Sequence, residues 1–236
     1  MTPPTGSSPS GFATAIRAAV PSYHEFALRL RLHTTHFLDQ LRMRAVARSH
    51  PGLEIDPTTS PNFWTSSFNM APGARLRLGP GVTTDRRSGG VNFLLEEGAV
   101  IEIEEGTWLR TEIAPVVLAA YAGARMRIGP DSLLNGCHLS AKAEVTLGRR
   151  AWVGPGSRVF DSDQHDLDAD HPEVPDPVRI EDHAWVSSDV TVLRGVSIGA
   201  HSVIGARSLV TRDIPEHTLA YGIPARPHGT VGDRTH

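Results

Sequence analysis

The segment 160–178 concentrates the side chains of this chain that could perform acid–base chemistry. It reads FDSDQHDLDADHPEVPDPV and places five aspartates and two histidines before Pro172. Imidazole titrates near neutral pH and can accept a proton from an attacking group, while a neighbouring carboxylate can fix its tautomer. Histidine and carboxylate groups also bind zinc, and the same composition is common in solvated loops. The residues alone therefore leave open a general base, a metal site and an ordinary loop.

An aliphatic residue recurs at every sixth position after this segment. These residues are Ile180, Val186, Val192, Ile198, Ile204 and Val210. A helix repeats every 3.6 residues and a lone strand every two, whereas a solenoid coil of three short strands and tight corners repeats every six. Residues eighteen apart then stack about 4.8 Å from one another and fill a narrow triangular interior.

The same register precedes the segment. It is found at Leu147, Val153 and Val159, and in diluted form at Leu78 and Ile128. From Val159 to Ile180 the chain advances 21 residues, which is not a multiple of six. We therefore expect residues 160–178 to leave the coil as a loop. Residues 79–127 are irregular, and a protruding turn is predicted at residues 85–90.

A helix is predicted over residues 22–48. Ser22 and Glu25 have capping-box spacing, apolar residues recur at three- and four-residue steps up to Leu41, and Pro51 and Gly52 end the pattern. Residues 1–49 hold six basic and two acidic residues, a net of +4, while the remainder has 17 against 24, a net of −7. We expect the helix to cover the open end of the solenoid. The alternative is a basic surface for an anionic membrane or an acidic carrier protein.

Composition restricts the setting of the chain. Cys137 is its single cysteine, which excludes an internal disulfide framework. The longest apolar stretch, residues 114–124, is eleven residues long and too short to span a bilayer. The first eleven residues lack the basic and apolar regions of a signal peptide, so a cytoplasmic location is expected. No nucleic-acid partner is expected.

The C-terminal run carries a family resemblance. IGAHSVIGARSLVTRDIP, beginning at Ile198, and AYGIPAR, ending at Arg226, resemble the closing segment of hexapeptide-repeat acyltransferases, the group of the maltose and galactoside O-acetyltransferases. The resemblance covers roughly residues 72–228 and is strongest from residue 147 onward. It implies a mainly β fold, a left-handed parallel β-helix, that forms a homotrimer. It also implies that coenzyme A lies between neighbouring subunits and that acetyl-CoA donates an acetyl group to a hydroxyl of a sugar, glycan precursor or small alcohol.

These observations divide the chain into four parts. We expect a flexible N-terminus over residues 1–15 and a helical cap with its linker over residues 16–70. The β-helix domain is expected over residues 71–228, with its loop at 160–178, and a C-terminal tail over residues 229–236. The loop would carry the chemistry because it departs from the structural repeat.

The resemblance also implies roles for residues around the acceptor. The segment ending at His165 resembles the place where these enzymes carry their histidine base. Asn135 matches an asparagine of the acceptor site, and Asp163 is assigned to substrate binding beside the histidine. Either Asp163 or Asp166 is expected to orient the imidazole. Cys137 is expected to pack inside a coil.

A second set of residues is implied for the coenzyme. Ser188 matches a serine close to the thioester, where backbone N–H groups would stabilise an oxyanion. The residues matching the coenzyme-lining positions are Ala206, Thr211 and Arg212. Arg226 matches an arginine that reaches the coenzyme phosphates, a task that suits a planar guanidinium. Trp152 and Trp185 each precede a ladder residue and are therefore expected to point outward.

Two other functions and several acceptor classes stay open. The acidic residue that binds sugar in the galactoside enzymes falls near Ala141 or Lys142, so a different acceptor is expected, and an amine acceptor is the near variant. The acyl chain length is open. A γ-class carbonic anhydrase-like zinc enzyme could use His138, His165 and His171. The two loop histidines are six residues apart, however, whereas a resemblance to that class would imply a spacing of five. The third function is a non-catalytic trimeric scaffold. We expect no metal.

Overall fold

A computed structural model describes residues 23–235, without the side chains of residues 23–26, 28 and 29. The described residues divide into two compact units, the first ending at Leu41 and the second beginning at Arg42. The predicted flexible segment 1–15 and the predicted capping residue Ser22 lie outside the described residues.

The helix α1 spans Tyr23–Ser49, within one residue of the predicted bounds at each end. The large apolar side chains that the structure describes before Arg42 are exposed, namely Leu30, Leu32, Phe37, Leu38 and Leu41. From Arg42 onward the helix belongs to the second unit, where Met43 and Val46 pack into the hydrophobic core. Within the part of the chain that is described, no helix is long and apolar enough to cross a membrane.

From Leu53 onward the chain winds through three sheets of parallel strands. Sheet I contains β1 (Leu53–Ile55), β3 (Arg75–Leu78), β6 (Val100–Ile103), β9 (Arg125–Ile128), β12 (Glu144–Leu147), β15 (Val178–Ile180) and β18 (Ser197–Ile198). Sheet II contains β4 (Thr83–Thr84), β7 (Trp108–Arg110), β10 (Leu133–Asn135), β13 (Trp152–Val153), β16 (Trp185–Val186), β19 (Val203–Ile204), β21 (Thr218–Gly222) and β22 (Ala225–Thr230). Sheet III contains β2 (Ser67–Met70), β5 (Val91–Leu95), β8 (Val116–Ala120), β11 (His138–Ala141), β14 (Arg158–Phe160), β17 (Thr191–Val192) and β20 (Leu209–Val210). A 3₁₀ helix, Pro61–Thr65, precedes β2, and β22 is the one antiparallel partner among the strand pairs of these described sheets.

The six-residue ladder is confirmed as the core of the coil. Ile180 pairs with Ile198, Val186 with Ile204, and Val192 with Val210, each eighteen residues apart. All six side chains are at most 1% exposed. Each sheet contributes one column of this interior, because alternate residues of a strand point to opposite faces. The fold is the predicted left-handed parallel β-helix.

The earlier coils are wider than the hexad pattern indicates. Leu78 pairs with Ile103 and Ile103 with Ile128, so each of these coils takes 25 residues. Residues 79–127 are thus regular rather than irregular. The predicted turn 85–90 is part of a stacked corner, since Thr111 N–H donates to Asp85 Oδ2 at 2.6 Å.

The first strand begins at Leu53, upstream of the boundary expected at residue 71. The first coils add aromatic rings to an aliphatic interior. The Phe63 and Phe93 ring centroids lie 6.3 Å apart, and those of Phe68 and Phe93 lie 5.3 Å apart. A larger coil can hold these rings, and its sequence then lacks the six-residue period.

Three corners join the sheets in every coil. The first corner leads from sheet I to sheet II, the second from II to III, and the third from III back to I. Adjacent coils approach closely at these corners. A Cβ on Gly129 would lie 2.5 Å from the carbonyl carbon of Gly148 in the next coil, so glycine is required there.

Candidate functional site

The loop predicted at 160–178 leaves the solenoid at the third corner, where residues 161–177 connect β14 and β15. His165 is exposed on this loop, and its imidazole makes no hydrogen bond with the described residues. Gln164, directly before it, has a left-handed backbone with φ of 70°. The chain thus leaves the coil where the sequence predicted a loop, and His165 is exposed on that loop.

The two aspartates nearest to His165 in sequence bind other groups. Asp163 Oδ1 accepts a hydrogen bond from Arg194 Nε at 2.8 Å. Asp166 Oδ1 accepts one from the backbone N–H of Glu173 at 2.7 Å. Both carboxylates therefore stabilise the loop, and neither forms a hydrogen bond with the imidazole among the described residues.

Thr211 and Arg212 lie on the same corner as the loop. They follow β20 directly, and both side chains are exposed. The coil between them and the loop supplies Arg194, which follows β17. His165 and two of the residues predicted to line a coenzyme therefore share one edge of the solenoid.

The second corner brings together Asn135, Ser188 and Ala206. Arg207 N–H donates to the Ser188 carbonyl at 2.9 Å, and Gly156 N–H donates to the Gly136 carbonyl at 2.9 Å, so these corners stack in one column. Ser188 is half-buried and Ala206 is exposed. Asn135 Oδ1 is buried and has no hydrogen-bond partner among the described residues. A buried carbonyl oxygen without a donor is costly.

The two groups of predicted residues are separated by sheet III within one chain. β11 crosses this face with four residues, His138–Ala141, which correspond to about 13 Å of strand. Arg226 is exposed on β22 of the terminal hairpin, where it pairs with Tyr221 at the second-corner end of sheet II and its Nη1 donates to the Ala225 carbonyl at 2.9 Å. One chain therefore supplies two partial sites rather than one assembled site.

The outer face of sheet III carries a half-buried histidine between these corners. His138 pairs in register with Arg158, and its ring meets the Phe160 ring edge-on at 5.6 Å. Burial, together with the positive charge of Arg158, lowers the pKa of His138 below its usual value of 6.5. His138 is thus held neutral at physiological pH.

Three residues of the loop region were not identified from the sequence. Lys142 binds Glu173 at 2.7 Å and the Gln164 carbonyl at 3.0 Å, while Arg194 binds Asp163. The sequence offered one signal, because the family resemblance placed an acidic sugar-binding residue near Ala141 or Lys142. Its partner Glu173 is 31 residues away, and that distance concealed the pair.

Cys137 is buried at 2% exposure, as its expected packing role requires. Burial raises the pKa of its thiol to about 12. The nucleophilic thiolate is therefore scarce at neutral pH.

The three histidines considered for zinc are not gathered in the described structure. His138 lies on sheet III, whereas His171 is exposed on the loop and its Nδ1 lies 2.7 Å from Asp168 Oδ1. Among the described residues, the donors within metal-binding reach of one another are those of His201, His217 and Asp233. They lie on the first corner, away from both groups of predicted residues.

The geometry at the first corner does not suit a metal. The rings of His183, His201 and His217 stack 4.8 Å apart with interplanar angles of 5° and 6°. The nitrogen lone pairs lie in these parallel planes and cannot converge on one ion. His201 Nδ1 also accepts the Arg234 N–H at 2.9 Å, so the neutral ring carries its proton on Nε2.

A cavity of about 550 Å³ lies on another face of the solenoid. Arg127, Thr146, Arg149, Arg179 and Asp182 are among its lining residues, and the predicted site residues are not. The predicted site residues therefore lie outside this cavity.

Comparison with known proteins identifies relatives of this fold. Residues 177–212 match the family model described as bacterial transferase hexapeptide (six repeats). A Schizosaccharomyces pombe protein named "Putative acetyltransferase C18B11.09c" is 34% identical over 165 residues, which are 68% of this chain and 75% of that protein. The galactoside O-acetyltransferase of Escherichia coli K12 is 30% identical over 136 residues, or 56% of this chain and 64% of that enzyme.

A solved structure agrees at the level of the fold. The polySia-specific acetyltransferase NeuO superposes with a TM-score of 0.50 at 21% sequence identity. The superposition covers 78% of this chain and 82% of that one.

Proposed function

This chain is an acetyltransferase of the hexapeptide-repeat family, and we propose that it moves an acetyl group from acetyl-CoA to a hydroxyl of a sugar, glycan precursor or small alcohol. The observation that carries this proposal is the exposed imidazole of His165 on a loop that is tied to the coils on either side. The ring of His165 is open to solvent on an ordered loop and can meet a bound acceptor, whereas the half-buried ring of His138 packs against Phe160.

His165 would act as general base. Its imidazole accepts the proton of the acceptor hydroxyl while the hydroxyl oxygen forms a bond to the acetyl carbonyl carbon. The carbon–sulfur bond then breaks, and the imidazolium returns the proton to the departing sulfur. Acetyl-CoA supplies the activated thioester, so the protein needs neither a covalent intermediate nor the buried thiol of Cys137.

Two second-corner residues, Asn135 and Ser188, and Asp163 of the loop suit the acceptor and the developing negative charge. Asn135 Oδ1 would accept a hydrogen bond from an acceptor hydroxyl, which gives that buried oxygen a partner. Asp163 Oδ1 is paired with Arg194, and Oδ2 would accept a second acceptor hydroxyl. The backbone N–H of Ser188 donates to no other group in the described part of the chain, which suits an oxyanion donor.

Four further residues would hold coenzyme A. Ala206 offers an exposed small side chain beside which a pantetheine arm can pass, and Thr211 offers a hydroxyl on the next corner. The exposed guanidinium groups of Arg212 and Arg226 suit the coenzyme phosphates. Because these residues occupy different corners, we propose a homotrimer in which the third corner of one chain meets the second corner of its neighbour.

The test is release of free thiol from acetyl-CoA against a panel of sugars, glycan precursors and amino alcohols. With an accepted substrate, His165→Ala should lower kcat by about 10²- to 10⁴-fold and leave the Kd for coenzyme A unchanged, because only proton transfer is removed. His171→Ala is the matched control, since it removes another exposed histidine of the same loop and should stay within about twofold of wild type. Full activity in His165→Ala would refute the assignment.

A further inference from the structure

The loop that carries His165 is fixed at its root by a buried carboxylate. Asp161 is fully buried and follows β14 directly. Its Oδ1 accepts the N–H of Lys142 and its Oδ2 accepts the N–H of Ala143, both at 2.7 Å. These bonds join the start of the loop to the third corner of the preceding coil.

The side chain of Lys142 reaches from that corner to both limbs of the loop. Its Nζ donates to the Gln164 carbonyl at 3.0 Å and to Glu173 Oε2 at 2.7 Å. The ammonium also lies 5.0 Å from the ring centroid of Tyr121, one coil further back. The Lys142 ammonium thus binds both the peptide directly before His165 and Glu173 on the opposite limb of the loop.

A second clamp acts from the following coil. Arg194 binds Asp163, two residues before His165. Within the loop, Gln164 N–H and Nε2 both donate to Ser162 Oγ, at 3.2 and 2.7 Å. Residues 162–164 are therefore held from several directions, while the ring of the next residue stays exposed.

The ion pair of Lys142 and Glu173 is partly shielded from solvent. The two side chains are 21% and 22% exposed, in contrast to the surface pair of Arg149 and Asp131 at 49% and 44%. The hydrogen bond from Lys142 holds the pKa of Glu173 below its usual value. A partly buried ion pair is costly to break on one side, because the remaining charge is left without a partner.

We infer that Lys142 is a positioning residue that sets the place of the His165 imidazole by clamping the two limbs of its loop. This inference rests on the proposed role of His165 as the base. Displacing a reacting group by about 1 Å can cost about 10²-fold in rate, so loss of the clamp should slow proton transfer without removing a contact to the coenzyme.

The experiment compares Lys142→Met with Lys142→Arg in the full chain. Lys142→Met should lower kcat by about 10- to 100-fold and leave the KM for acetyl-CoA within about twofold, because the base is displaced and the coenzyme residues are untouched. Lys142→Arg keeps a cation with several donors and should recover most of the lost rate. Arg149→Met is the matched control, since it breaks an exposed ion pair at the first corner and should leave kcat unchanged.

Hydrogen exchange gives a readout that does not depend on catalysis. The amides of residues 163–174 should exchange faster in Lys142→Met, while the amides of the sheets stay protected. Wild-type kcat, or unchanged loop exchange, in Lys142→Met would overturn the inference. A loss that Lys142→Arg does not recover, or that accompanies a general loss of sheet protection, would also overturn it, because the effect would then be one of folding.

The outcomes separate this inference from the proposed function. If His165→Ala is inactive and Lys142→Met is fully active, the base assignment stands and the clamp is refuted. If His165→Ala is fully active, the proposed base is refuted, and Lys142→Met should then loosen the loop without changing kcat.

Discussion

At the scale of single residues, the loop holds the backbone around His165 in place but leaves the imidazole exposed. Lys142 and Arg194 bind atoms within two residues of His165, yet the imidazole itself is exposed and makes no hydrogen bond with the described residues. A general base needs such an arrangement, because its place must be fixed while its nitrogen stays available to the acceptor. In Asn135, by contrast, the side-chain oxygen is buried and has no hydrogen-bond donor among the described residues.

His138 should make the stability of the protein depend on pH. Its folded-state pKa is lowered by burial and by Arg158, whereas the unfolded chain takes up a proton near pH 6.5. Stability is therefore full above about pH 6.5 and falls as the pH drops below this value, because the unfolded state then binds more protons. His138→Gln should flatten this fall between about pH 8 and pH 5, measured as the urea midpoint at each pH.

Arg158→Gln provides an independent check of the same mechanism. It removes the charge that opposes protonation of His138, so its stability should depend on pH less steeply than that of the wild type. Identical pH profiles for His138→Gln and wild type would show that the ring does not control this part of the stability.

Sequence proximity was a poor guide to the partners of the loop aspartates. Asp163 and Asp166 were expected near the imidazole because they lie within two residues of it. Asp163 instead binds Arg194, 31 residues away, and Lys142 reaches Gln164 across 22 residues. In a solenoid the nearest neighbours of a corner belong to the adjacent coils, and a loop of variable length removes the fixed offset that would reveal them.

At the scale of strands and coils, the repeat could be predicted from the sequence where the coil is narrow but not where it is wide. From Leu147 onward most strands have two or three residues, each sheet contributes one column, and the aliphatic period can be read directly. In the earlier coils β5 and β8 have five residues and the interior holds Phe63 and Phe93, so the period becomes 25 and the hexad disappears. The loop could be located because it interrupts a strict period, whereas its ion pairs could not.

The histidine column at the first corner holds the C-terminal tail. His201 Nδ1 accepts the Arg234 N–H, while His183 Nδ1 donates to the Arg234 carbonyl at 3.0 Å. The Arg234 guanidinium lies 5.4 Å from the Trp152 ring and 5.1 Å from the Trp185 ring. Both tryptophans point outward as predicted, and the tail partly covers them.

Truncation after Val231 should therefore uncover both tryptophans. We expect a red shift of tryptophan emission, stronger quenching by acrylamide and a loss of about 2 kcal/mol in the free energy of unfolding, from two cation–π contacts and several hydrogen bonds. His201→Phe should preserve the ring stack but loosen the tail, since phenylalanine cannot accept the Arg234 N–H. Emission and quenching like those of the wild type in the truncated chain would contradict this role of the tail.

At the scale of the whole molecule, the positions of the two groups of residues determine what an active assembly requires. His165 lies at the third corner, whereas Asn135 and Ser188 lie at the second, and the face of sheet III separates them in one chain. Side chains cannot span this face, so one chain alone would bring base and acceptor residue to different places. In a cyclic trimer, unlike corners of neighbouring chains meet at three equivalent contacts.

Mixing two inactive variants tests this assembly directly. His165→Ala and Asn135→Ala each disable every site when alone, but a mixed trimer can contain a site whose two walls are both intact. Random mixing at equal amounts should restore about one quarter of wild-type activity, because each of the two chains at a heterologous contact is the required variant half of the time. Light scattering should give the mass of three chains for both variants and for the mixture.

Recovery of activity requires that the two variants assemble into the same trimer, so they are refolded together. Variants that are refolded separately and combined afterwards serve as the control. Trimers without recovered activity would place both residues in a site within one chain, and a monomer at micromolar concentration would remove the two-chain site altogether.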